Sequence, residues 1–122
     1  MLRVATFALL GMRVAYGAGL IAAPGRLARN WLGASAGEPP AAVPLRGLGA
    51  REIVVHGAAI AAALNDKPLR PFLAASAAGD VADILATVAG RGGLPDGAAP
   101  KTLAVAGGSA LLTVALAAAL ER

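Results

Sequence analysis

Cysteine is absent from the 122 residues, which excludes a disulfide framework, a thiolate metal site and a cysteine nucleophile. Aromatics make up 3% of the chain and charged residues 15%, whereas a soluble domain carries roughly a quarter charged residues. The composition therefore argues against a water-soluble globule. No basic block is interleaved with aromatic residues, so the net charge of +4 is better explained by lipid headgroups than by nucleic acid. There is no H-E-x-x-H and no G-x-x-x-x-G-K-[ST], which removes the zinc-protease and phosphate-loop signatures.

What is present is alanine, glycine, leucine and valine spread along the whole length, with a mean hydropathy of +0.68. Four apolar segments stand out, at about 2–23, 47–64, 71–89 and 102–120. Each is close to the roughly 20 residues that cross about 30 Å of hydrocarbon as a helix. They are punctuated by Pro24-Gly25, Asn65-Asp66-Lys67-Pro68, Gly90-Arg91-Gly92-Gly93 and Glu121-Arg122. The expected fold is all-α: one domain, an integral membrane four-helix bundle in antiparallel up-down order, in the plasma membrane. A cleavable signal peptide competes for the first segment, but Arg13 at its centre is foreign to a signal core.

After the first span, Arg26, Arg29 and Asn30 fall on one side of a helical turn, with Leu27 and Trp31 on the other. This predicts a short interfacial helix, anchored by Trp31 at headgroup level and by Arg26 and Arg29 at phosphates. Residues 33–44 and 92–100, rich in glycine and proline, read as loops. An even number of spans places both termini on one side. Arg3, Lys67, Arg70 and Arg122 then face Arg26, Arg29, Arg46, Arg91 and Lys101, and the Arg26/Arg29 cluster favours a cytoplasmic Trp31 loop.

Ionisable groups interrupt three of the spans. With the middle of each span at the bilayer midplane and about 1.5 Å of rise per residue, Arg13, His56 and Asp80 lie near the centre. Arg51, Glu52 and Asp83 lie roughly 4 to 6 Å toward the Trp31 side. Asp80 and Asp83 share a helix face, as do Glu52 and His56. Two arginines against three carboxylates leave one negative charge when His56 is neutral.

Such a layer has three readings. Internal pairing would fix helix order and rotation. A proton or cation site would use crowded carboxylates that cannot all ionise cheaply. A metal site would draw on Glu52, His56, Asp80 and Asp83, although a single histidine beside two arginines is a poor ligand set and argues equally against haem. No cofactor is expected. Gly11, Gly17, Gly19, Gly57, Gly79 and the Gly107-Gly108-Ser109 run are expected to permit close helix contact in lipid.

The run Gly49-Ala50-Arg51-Glu52 with Gly57, followed by Gly79-Asp80-Val81-Ala82-Asp83, resembles small four-span membrane proteins of actinobacteria grouped as domains of unknown function. That resemblance implies an integral membrane protein with a G-x-R-[DE] helix and a paired-aspartate helix, and it carries no activity. The functional expectation is a non-enzymatic accessory or assembly protein in the lipid bilayer, self-associating or bound to a larger membrane partner. The alternative is a small proton- or cation-coupled transporter or channel.

Overall fold

The computed structural model describes residues 1–120, and the expected terminal pair Glu121-Arg122 lies outside the described residues. Among the described residues there are six α-helices, two short 3-10 segments and no strand. Four helices are long and apolar enough to cross a membrane: α1 (Leu2–Ala22), α4 (Pro39–Leu64), α5 (Arg70–Ala89) and α6 (Ala98–Leu120). Less than a third of each span is buried within the chain. Val54, Leu85, Val105, Leu111 and Val114 are among the large apolar side chains facing outward. Apolar surface of that extent points to a multi-pass membrane protein.

Between α1 and α4 the chain forms two single-turn helices, α2 (Pro24–Leu27) and α3 (Arg29–Leu32), and a 3-10 segment over Gly33–Gly37. The expected single interfacial helix is therefore divided. Pro24 starts a new helix where Ala23 leaves helical geometry, and Gly33, at φ +68°, ends the second turn. Arg26 and Arg29 are exposed. Trp31 is half-buried against a cluster of Leu20, Ala28, Ala36 and Leu45, so its ring packs inward.

Part of the expected 33–44 loop is helical, because α4 begins at Pro39. Proline is tolerated in a first helical turn, where its missing N–H has no partner to lose. Pro39 and Pro40 use that tolerance, and Pro44 is carried inside the helix. The extension also brings in Arg46, whose Nε donates to the Ile21 carbonyl oxygen at 3.1 Å, satisfying a carbonyl left open at the end of α1. Likewise α6 begins at Ala98, with Pro100 in its first turn.

Helix α1 packs chiefly on α4, and α5 chiefly on α6. The first pair meets at Gly17 and Gly49. A Cβ on Gly17 would lie 2.5 Å from the Gly49 carbonyl oxygen, and one on Gly49 would lie 2.5 Å from that of Gly17. Only glycine fits such an approach. The other glycines expected at contacts behave differently. Nothing lies within 4 Å of a Cβ at Gly11, Gly57, Gly107 or Gly108, while Gly19 faces Leu27 and Gly79 faces the Arg51 guanidinium. An apolar cluster around Leu10, Ala59 and Leu73 and the one around Leu20 and Leu45 bracket the charged residues along the bundle.

Candidate functional site: a polar layer beside an apolar cleft

All six ionisable residues singled out in the sequence fall in one connected cluster. Arg13 on α1 is at its centre and is 9% exposed. Its Nε donates to Glu52 Oε2 at 2.7 Å and its Nη2 to Glu52 Oε1 at 3.1 Å. Nη2 also donates to Asp80 Oδ1 at 2.8 Å, and Nη1 to Asp80 Oδ2 at 3.2 Å. A last bond runs from Nη1 to the Ser109 hydroxyl on α6. A guanidinium has five N–H donors, and here five hydrogen bonds engage them on α4, α5 and α6.

Arg51 and Asp83 form a second, more open pair. Arg51 Nη2 donates to Asp83 Oδ2 at 3.1 Å and lies 3.7 Å from Glu52 Oε1, with side-chain exposures of 40% for Arg51 and 27% for Asp83. The two pairs share Glu52 and differ sharply in burial.

His56 is buried one turn beyond Glu52. Its Nδ1 is 2.7 Å from the Glu52 carbonyl oxygen and its Nε2 is 2.8 Å from Ser76 Oγ. A carbonyl can only accept, so Nδ1 carries the proton. Nε2 then accepts from the Ser76 hydroxyl in the neutral ring, or donates to it in the imidazolium. Either state is satisfied by rotating one hydroxyl.

These contacts also bear on the metal reading. Glu52 and Asp80 are taken up by Arg13, and Asp83 by Arg51. Among the described residues no group of three or more acidic or histidine side chains is disposed to hold a metal ion.

A cleft of about 490 Å³ adjoins the layer. Arg13, Glu52, Asp80, Asp83 and Ser109 form its polar floor, while Met12 and Tyr16 of α1 and Thr102 and Val105 of α6 line its sides. Direct α1 to α6 contact is sparse, and both helices line the cleft. A second depression of about 410 Å³ lies against α4 on the far side of Trp31, Leu48 and Asp83, which line both.

Ser76 and Ser109 belong to the site and are not found by counting charges. Ser76 carried a weak signal, since it lies four residues before Asp80 and so on the same helix face. Ser109 carried none, because small hydroxyl residues in a charge-free span read as packing.

The 3-10 segment Gly33-Ala34-Ser35-Ala36-Gly37 spells G-x-S-x-G. A nucleophile elbow needs a strand entering that turn and a histidine to activate the serine. Here the segment joins two helices, and the one histidine is engaged with Glu52 and Ser76.

Searches against protein-family models, curated proteins and solved structures return no match to this chain.

Proposed function

We propose that this chain is a non-enzymatic accessory or assembly protein of the plasma membrane, an antiparallel up-down four-span bundle whose charged layer fixes helix order. The observation that carries this reading is Arg13, whose guanidinium joins α1 to α4, α5 and α6 at once. The antiparallel order is supported by pairings that run in opposite directions along α1 and α4: Arg13 with Glu52, and Gly17 with Gly49. With less than a third of each span buried within the chain, surface remains for self-association or for a larger partner.

The test is purification from membranes in mild detergent, with particle mass measured by light scattering or native mass spectrometry. A stable homo-oligomer or a stoichiometric membrane partner is expected. A lone monomer across several detergents would count against the reading.

A second reading, a small proton- or cation-coupled transporter, is favoured by the cleft that reaches Glu52, Asp80 and Asp83 and by the two satisfied states of His56. Protein in liposomes loaded with a pH-sensitive dye tests it. Dissipation of an imposed proton gradient supports it, and its absence under any imposed cation gradient excludes it.

A further inference from the structure

The floor of the cleft is saturated in donors and rich in acceptors. Five hydrogen bonds engage the donors of Arg13, so an anionic headgroup arriving there would find carboxylates and no free guanidinium N–H. Each carboxylate oxygen has two lone pairs. Those of Glu52 and Asp80 each accept one hydrogen bond from Arg13, and Asp83 Oδ1 accepts none among the described residues. Of the charged residues that line the cleft, Arg13 and Lys101 against Glu52, Asp80 and Asp83 leave minus one, while Arg51 lines the neighbouring depression and reaches Asp83 from there.

The remaining walls are largely apolar, with Tyr16 and Trp31 among them. The Trp31 indole N–H is buried and has no acceptor among the described residues. The volume is within the range of small-molecule sites, about 300 to 1,000 Å³.

From this juxtaposition of a minus-one, acceptor-rich lining and apolar walls from α1 and α6, we infer that the cleft binds an amphipathic organic monocation. The cationic group sits against Asp83 and the Glu52/Asp80 oxygens, and the apolar body lies along Met12, Tyr16 and Val105. Lys101, which also lines the cleft, opposes such a ligand.

Trp31 is the sole tryptophan and lines both the cleft and the neighbouring depression, so its emission reports binding, and Lys101, which lines the cleft and not the depression, assigns it to the cleft. The test uses the full chain in phosphatidylcholine nanodiscs, titrated with tetraphenylphosphonium and, separately, with tetraphenylborate, which has the same shape and the opposite charge. Empty nanodiscs give the partitioning background.

The expected result is a saturable change in Trp31 emission with the phosphonium alone. Removing a negative charge beside the bound cation with Asp83→Asn weakens binding about tenfold. Lys101→Gln strengthens it, a gain that misfolding cannot imitate. Equal binding of both ions, no saturable binding of either, or indifference to both substitutions overturns the proposal and leaves the cleft as a groove for lipid chains.

Discussion

At the scale of single residues, Arg13 and Arg51 answer differently to removal. Breaking a buried ion pair from one side typically costs about 3 to 5 kcal/mol, because the partner is left uncompensated. Arg13→Met strands both Glu52 and Asp80, so a loss of that order is expected, read as a lower unfolding temperature in detergent. Adding Glu52→Gln and Asp80→Asn to the same chain is expected to recover much of the loss. Arg51→Gln, at a guanidinium 40% exposed, is expected to cost under about 1 kcal/mol, as partly solvated pairs do. The membership of this layer was legible in the sequence, since a midplane count placed all six ionisable groups at similar depth. Their pairing was not. Whether Asp80 meets Arg13 or Arg51 depends on helix rotation, which small glycine-rich faces and an α6 with no charge beyond Lys101 do not encode.

At the scale of elements, the α1/α4 contact rests on two glycines facing each other across the helices. Gly17→Leu and Gly49→Val each place carbon where a backbone oxygen sits. Overpacking of this kind typically costs about 1 to 3 kcal/mol. Gly107→Ala and Gly108→Ala meet nothing within 4 Å and are expected to be neutral or to stabilise by about 0.5 to 1 kcal/mol through the lower conformational freedom of alanine. A chemical denaturation series in detergent separates the two classes. Small residues in the spans were visible as candidates, but a glycine at a contact and one facing lipid look alike until the rotation of each helix is known. The early start of α4 was hidden for another reason. Pro39, Pro40 and Pro44 read as breakers, although a first turn accepts Pro39 and Pro40 without losing a bond and Pro44 is carried inside the helix.

At the scale of the whole molecule, α1 with α4 and α5 with α6 are the two main packed pairs. Between the pairs run the Arg13 to Asp80, Arg13 to Ser109, Arg51 to Asp83 and His56 to Ser76 contacts. Hydrogen-bonded charge thus joins one pair to the other alongside the apolar cluster of Leu10, Ala59 and Leu73, and the Arg13 to Glu52 ion pair adds to the packing within the first pair. With so much apolar surface outward, the chain is expected to stay in the pellet when membranes are washed with alkaline carbonate, and release into the supernatant would argue against spanning. The Arg13 junction also sets an order on biogenesis. Its partners lie 39, 67 and 96 residues downstream, so a ribosome delivers the arginine long before it delivers the groups that satisfy it. Until α4 emerges, α1 carries a cation without those partners, a state that hydrocarbon disfavours. The full set of hydrogen bonds to the Arg13 guanidinium is therefore possible only once Ser109 has been made.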